Sequence, residues 1–202
     1  MAFSLLQNIA LLVALATMQQ FIVRRWRPGT LPHRLLSGLL FGGTTVLGML
    51  TRVEVVPGVF YDGRSIILAV AGMFGGPVAA TIAAAIAAAY RLYLGGAGTI
   101  AGVGVIVEAT VAGIAMYYLR RRHEEVTRSG WLYLFAVLVH VGMLLIQFSL
   151  PGGMAPGVLR QIAAPVLVMY PLGQLLVCRL ILDQEERLTR EKELERLTAS
   201  LG

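Results

Sequence analysis

The sequence is poor in charged residues, and in acidic residues above all. Only 14% of its 202 residues are charged, against about 25% in an average soluble domain. Of the 11 acidic residues, six follow residue 182. Residues 1–182 therefore have the composition of an integral membrane protein, whereas residues 183–202 do not.

Cysteine and enzyme motifs are also scarce. Cys178 is the single cysteine, so no disulfide can form within the chain. The sequence contains no phosphate-binding glycine loop, nucleophile elbow, metal-ligand cluster, or histidine kinase or cyclase signature. We therefore expect no catalysis, no cofactor and no metal in this chain. The net charge of +6 comes from basic residues between apolar runs, which indicates membrane topology and not nucleic-acid binding.

Long apolar runs are what the sequence does contain. They cover residues 3–23, 35–51, 65–75, 77–94, 99–119, 131–150 and 160–182. Most can cross about 30 Å of hydrocarbon at about 1.5 Å per residue, but 65–75 covers only about 16 Å. Pro77 cannot continue a helix, although it suits the first turn of a new one. We therefore predict that Gly75, Gly76 and Pro77 break the chain into a short helix and a full one.

Two basic loops indicate the topology. They lie at residues 24–34 and 120–128, and the positive-inside rule places both in the cytoplasm. Only an even number of crossings between them satisfies the rule, which requires the break after residue 75. We predict an all-α integral membrane bundle of about seven helices, with the N-terminus outside and the C-terminus cytoplasmic. Six crossings, which violate the rule once, are the alternative.

Arginines frame the central apolar stretch, residues 61–96. Arg64 lies at its start and Arg91 near its end. An arginine within a membrane helix costs roughly 2.5–3.5 kcal/mol, so its presence needs a reason. If the break makes the two helices antiparallel, both arginines reach the outer side. Guanidinium groups bind carboxylates through paired hydrogen bonds, so we predict a site for a small anion.

Three further residues belong to the predicted ligand-binding set: Asp62, Tyr90 and Glu108. Asp62 and Tyr90 neighbour the two arginines in sequence. The alternative is that Arg64 pairs with Asp62 or Glu54, while Arg91 extends to lipid head groups. Glu108 and His140 lie at similar depth within their helices. Because buried ionisable groups in membranes usually find partners, we expect these two to hydrogen-bond to each other, with a proton-linked or ligand-linked role as the alternative.

The last 20 residues, 183–202, change character abruptly. They are rich in helix formers with alternating Glu and Arg, which predicts an exposed helix continuing the last span. Ile181 and Leu188 are seven residues apart, whereas Leu194 and Leu197 are three apart. The two pairs do not share one heptad register, so the coiled-coil signal is weak. We favour a parallel dimer stalk truncated before an output domain, with a solvated helix as the alternative. The domains are then a transmembrane sensor, 1–182, and a cytoplasmic linker, 183–202.

The central stretch, YDGRSIILAVAGMFGGPVAATIAAAIAAAYRLYLGG, resembles the LytS/YhcK-type five-transmembrane sensor domain. The matching elements are Asp62-x-Arg64, Gly75-Gly76-Pro77, Tyr90-Arg91 and Gly95-Gly96 with Gly98. The resemblance covers roughly residues 30–185. It implies a multi-pass sensor of the bacterial inner membrane, fused through a cytoplasmic helix to a histidine kinase or a diguanylate cyclase. Some members of this kind sense small carboxylates.

The chain departs from that family at Thr51-Arg52, where the family often carries Asn two residues before the Arg. This departure leaves the identity of the ligand open. A distant likeness to substrate-binding subunits of energy-coupling-factor transporters supports the same outer pocket. We therefore expect a receptor domain that binds a small anion such as a carboxylate and signals as a homodimer through its C-terminal helix. A transporter or its substrate-binding subunit is the alternative.

Overall fold

A computed structural model describes residues 2–200 of the chain. Its helices are α1 (Ala2–Arg25), α2 (Leu31–Leu50), α3 (Arg64–Val70), α4 (Gly76–Leu94), α5 (Thr99–Arg122), α6 (Ser129–Ile146) and α7 (Ala155–Ser200). A π-helical turn, Ala71–Gly75, joins α3 to α4. The predicted fold class, an all-α membrane bundle, is confirmed.

Four helical stretches among residues 2–200 are long and apolar enough to cross a membrane. They are Arg64–Leu94, Thr99–Arg122, Ser129–Ser149 and Ala155–Ser200. By length alone the first is one stretch of 31 residues. Its backbone is nevertheless interrupted at Gly76, where φ is 76° and ψ is −177°. That conformation cannot continue an α-helix and favours glycine, so backbone geometry makes α3 and α4 separate helices.

The two helices on either side of this break run in opposite directions. Alongside α5, a Cβ built on Gly72 would lie 2.6 Å from Gly113 Cα, and one built on Gly76 would lie 3.1 Å from the Tyr117 ring. The far end of α4 returns to the start of α5, where a Cβ on Gly102 would contact the Arg91 side chain. The π turn therefore folds α3 and α4 into a hairpin.

One end of the bundle, here called the basic end, gathers four segments around a single cavity. These are the α1–α2 loop, the α3–α4 break, the last turns of α5 and residues 181–188 of α7. Arg34, Arg120 and Arg121 line this cavity. Both basic loops and the break therefore share one end, as the charge argument requires. That this end faces the cytoplasm, and that the chain crosses seven times, remain predictions.

A two-stranded β-hairpin at the opposite end was not predicted. Strands β1 (Val53–Val56) and β2 (Val59–Tyr61) pair antiparallel, with Glu54 opposite Phe60. Gly58, at the turn, has a φ of 77°. Its carbonyl accepts a hydrogen bond from the Gly98 amide at 3.0 Å, so the hairpin turn packs backbone to backbone on the α4–α5 loop. We call this the hairpin end of the bundle.

Helix α7 is a single helix from Ala155 to Ser200 that includes Pro165 and Pro171. Leu188 is 8% exposed, whereas Leu194 and Leu197 are 63% and 56% exposed. The last span thus continues as an exposed helix beyond the bundle. Its role as a dimer stalk remains a prediction.

Candidate functional site

Arg64 begins α3 and forms a buried ion pair with Asp62. Asp62 Oδ1 accepts a hydrogen bond from Arg64 Nε at 2.9 Å. Asp62 Oδ2 lies 2.8 Å from Arg64 Nη2, within ion-pair distance although outside hydrogen-bond geometry. Arg64 Nη2 also donates to the Phe60 carbonyl at 3.0 Å. Phe60 and Asp62 therefore accept hydrogen bonds from two of the three nitrogens of this guanidinium, Nε and Nη2.

Arg91 lies on the last turn of α4 and is 1% exposed. Its Nη1 donates to the Gly95 carbonyl at 2.6 Å. Its guanidinium carbon lies 5.6 Å from the centre of the Phe60 ring. The predicted alternative, in which Arg91 extends to lipid head groups, is wrong because the side chain folds inward over the hairpin.

Two donors of these arginines remain free and lie close together. Among residues 2–200, Arg64 Nη1 and Arg91 Nε are buried with no hydrogen-bond acceptor. A Cβ built on Gly102 would lie 3.1 Å from Arg64 Nη1 and in contact with Arg91 Nε. Both donors thus border the same point on α5. Because buried polar groups are normally hydrogen-bonded, two free donors at one point call for an acceptor.

A third arginine, Arg52, lies close to Arg64 and Arg91. Arg52 follows α2, and its guanidinium carbon lies 4.4 Å from the centre of the Phe60 ring. Phe60 is therefore in contact with Arg52 and Arg91 through its ring and with Arg64 through its carbonyl. Asp62 is the buried acid of the hairpin end. Three arginines around one buried carboxylate leave an excess of positive charge, which attracts an anion.

A small cavity of about 20 Å³ lies between the hairpin and the start of α5. Its lining includes Phe60, Arg64, Gly102 and Gln147. That volume holds roughly one water molecule. At its edge the Tyr61 hydroxyl donates to Gln147 Oε1 at 2.7 Å. Burial raises the pKa of the Tyr61 phenol well above its ordinary value, so this donor stays protonated.

Besides Arg91, which borders Gly102 but does not line the cavity, two predicted ligand-binding residues lie outside this lining. Tyr90 packs against the core and lies 6.2 Å from Tyr93 between ring centres. Glu108 packs on α6, where a Cβ on Gly142 would lie 2.7 Å from Glu108 Oε1. The arrangement does not bring either residue to the two arginines, so their contact with a ligand remains a prediction.

The predicted hydrogen bond between Glu108 and His140 is wrong. His140 Nε2 instead meets Ser65 Oγ at 3.2 Å, and its Nδ1 meets the Ala136 carbonyl at 2.7 Å. Both ring nitrogens are thus occupied. Similar depth in the bilayer did not decide the pairing, because the short helix α3 places Ser65 beside His140.

Four residues of the site were not predicted from the sequence: Arg52, Phe60, Gly102 and Gln147. A signal existed for the hairpin, because Pro57-Gly58 between short apolar runs is a turn signature. Recognising the hairpin would have placed Phe60 beside the arginines. No comparable signal marks Gly102, whose role depends on the approach of α4 to α5.

The Asp62–Arg64 pair yields a stability prediction. Replacing Asp62 with Asn is expected to lower the free energy of unfolding by about 3 kcal/mol, because it leaves a buried guanidinium without its counter-charge. Glu54→Gln is the matched control, since Glu54 is an exposed acid of the same hairpin. Thermal unfolding in detergent compares the two variants. Equal melting temperatures would show that the ion pair contributes nothing.

Comparison with known families agrees with this architecture. A family model described as the 5TMR of 5TMR-LYT matches residues 16–184. The chain belongs to the 5TMR-LYT family. The family resemblance expected from the sequence is thereby confirmed. The 5TMR-LYT domain is a membrane sensor domain and not a catalytic one, so the chain is a multi-pass membrane protein of the receptor type. No curated protein and no solved structure matches the sequence.

Proposed function

We propose that this 5TMR-LYT domain binds a small carboxylate between Arg64 and Arg91, at the end of the bundle facing the outside. The observation that carries the proposal is the convergence of two buried, unpaired guanidinium donors at Gly102. A carboxylate has two oxygens and can accept from both donors at once. It also offsets the excess positive charge of the hairpin end.

Binding requires the site to expand. The cavity of about 20 Å³ holds roughly one water and no carboxylate. The ligand therefore binds a state in which α5 or the β-hairpin has moved away from the arginines. A ligand that binds only the expanded state shifts the equilibrium toward it by its difference in affinity. This requirement couples occupancy to helix packing, as a receptor needs.

A continuous set of contacts leads from the site to α7. Ser65, next to Arg64, contacts His140 on α6. The His140 ring lies perpendicular to that of Tyr170 on α7, with 5.3 Å between ring centres. Movement of α3 would therefore press on α7 through His140. In a parallel homodimer, residues 183–200 would pass that movement to a histidine kinase or diguanylate cyclase in the bacterial cytoplasm.

The alternative function is a transporter or its substrate-binding subunit. It uses the same pocket but gives no role to the exposed helix beyond Leu188, whereas a receptor needs that helix. Uptake of a radiolabelled carboxylate by proteoliposomes separates the two. The receptor proposal predicts binding without accumulation, and accumulation above that in empty liposomes would favour the transporter.

The binding proposal is tested by filling the space at Gly102. Small mono- and dicarboxylates are screened by the melting temperature of the purified chain, since a ligand that binds only the folded state raises it. We expect at least one to stabilise the wild type by several degrees and to leave Gly102→Val unchanged, because the added side chain meets Arg91 and Arg64 and forces the two donors apart.

Gly43→Val is the matched control. Gly43 lies within a helix, like Gly102, but a Cβ there meets no atom within 4 Å. This variant should respond to the carboxylate as the wild type does. Equal stabilisation of the Gly102 and Gly43 variants would place the binding site elsewhere.

A further inference from the structure

A second, larger cavity lies at the basic end, opposite Arg52, Arg64 and Arg91. Its volume is about 460 Å³, ample for a phosphate-sized anion. Gly75, Gly76 and Pro77 form one wall at the α3–α4 break. The C-terminal part of α7, residues 183–200, here called the tail helix, forms another through Glu185 and Leu188. The expected anion site does not use this cavity.

Its charged lining is predominantly positive. Arg34 and Arg121 are exposed, whereas Arg120 is half-buried. Arg120 pairs with Glu185 of α7 at 3.1 Å, and its guanidinium carbon lies 4.8 Å from the centre of the Phe74 ring. Three arginines face one acid, so the cavity has excess positive charge.

Buried polar atoms in the lining have unfilled hydrogen-bonding capacity. Among residues 2–200, Arg120 Nη1, His33 Nδ1 and Gln19 Oε1 are buried without a partner. His33 and Gln19 are 3% and 2% exposed, and both line the cavity. Gln19 uses its amide nitrogen on Ser37 Oγ at 3.2 Å, which leaves its oxygen as a free acceptor. Buried polar atoms usually have hydrogen-bond partners, so these three atoms indicate a ligand that both accepts and donates hydrogen bonds.

We propose that the basic end binds a phosphate-bearing anion on Arg34, Arg120 and Arg121. Arginine recognises phosphate oxygens through its planar fork of donors. A protonated phosphate oxygen or a head-group hydroxyl supplies the donor for Gln19. The same chemistry comes from two sources, an anionic lipid head group in the adjacent leaflet or free phosphate in solution.

The bound anion competes with Glu185 for Arg120. Among residues 2–200, two ion pairs join the tail helix to the rest of the bundle, Arg120–Glu185 and the more exposed Arg24–Glu191 at 3.4 Å. Occupancy of the cavity loosens the first pair and leaves the exposed one, which contributes little by itself. The anion thereby sets how firmly the tail is held. The binding step is independent of the outer carboxylate site.

The test uses two neighbouring arginines as a matched pair. Arg121 lines the cavity, whereas Arg122, the next residue on the same helix, is exposed and does not. Inorganic phosphate is titrated into the purified full chain in neutral detergent and followed by calorimetry. In the second arm, native mass spectrometry counts phosphatidylglycerol or phosphatidylcholine retained from nanodiscs. We expect Arg121→Gln to lower the affinity for the phosphate-bearing ligand about tenfold and Arg122→Gln to leave that affinity unchanged.

Glu185→Gln provides a result of opposite sign. Removing the competing carboxylate should tighten binding several-fold, and a merely structural role for Glu185 would not. Dependence on Arg121 in the calorimetry arm identifies free phosphate as the source, and selective retention of phosphatidylglycerol identifies the lipid. Equal behaviour of Arg121→Gln and Arg122→Gln in both arms, or weaker binding by Glu185→Gln, would overturn the proposal. If Arg121→Gln fails to fold, the sign of the Glu185→Gln effect decides.

Discussion

Replacing Arg91 with Ala is expected to weaken carboxylate binding at the hairpin end by about 10- to 100-fold. A hydrogen bond to a charged group contributes about 1.5–3 kcal/mol, and 1.4 kcal/mol corresponds to a factor of ten in affinity. Arg91 Nε is one of the two free donors at Gly102. Arg91→Lys should be intermediate, because it keeps the charge but loses the planar fork. Calorimetric titration with the most stabilising carboxylate of the screen measures these differences.

Arg160→Ala is the control for this prediction. Arg160 is an exposed arginine near the start of α7. The Arg160→Ala variant should bind the carboxylate as the wild type does. This comparison separates the loss of a direct contact from a general loss of positive charge. An Arg91→Ala protein that is folded and binds with unchanged affinity would remove Arg91 from the site.

Replacing Gly113 with Val is expected to disrupt folding more than the loss of the Asp62–Arg64 ion pair. A Cβ built on Gly113 overlaps the Ala69 carbonyl, and one on Gly72 would lie 2.6 Å from Gly113 Cα. At this crossing the backbone of α5 contacts the backbone of α3 and the π turn directly. No side chain can therefore change its rotamer to make room for the added valine. Overpacking typically costs about 1–3 kcal/mol, and a backbone clash belongs at the upper end or beyond. We expect little monodisperse protein and a much lower melting temperature.

Gly43→Val again supplies the control, since its added side chain meets no neighbour within 4 Å. Yield in detergent, elution profile and melting temperature are compared for the two valine variants and the wild type. A Gly113→Val protein that folds as well as Gly43→Val would mean that α3 and α5 do not approach this closely.

The α3–α4 break could be predicted because independent sequence signals agreed on it. Pro77 cannot continue a helix, and the two basic loops require an even number of crossings between them. In the structure, Gly76 interrupts the backbone and returns Arg91 to the end that holds Arg64. Composition and loop charge thus predict the helical bundle and the antiparallel pair α3–α4 within it. They do not specify which helix faces touch.

Contacts between distant segments account for what the sequence did not reveal. The β-hairpin has strands of four and three residues, too short for a reliable alternating pattern. Phe60 was therefore not predicted as a site residue, although Arg52 and Arg91 both contact its ring. The pairing of His140 was also mispredicted, because depth alone ignores the rotation of each helix. Its actual partner, Ser65, depends on where the short α3 packs.

The proposed receptor site requires that Arg64 and Arg91 hold one carboxylate together. The most direct test is an experimental structure of the domain saturated with a brominated analogue of a carboxylate that raises its melting temperature. We expect carboxylate density beside Gly102, within hydrogen-bond distance of Arg64 Nη1 and Arg91 Nε, with the cavity enlarged beyond its present volume of about 20 Å³. Bromine signal only in the basic-end cavity or on the lipid-facing surface, with both guanidinium donors still unpaired, would contradict it.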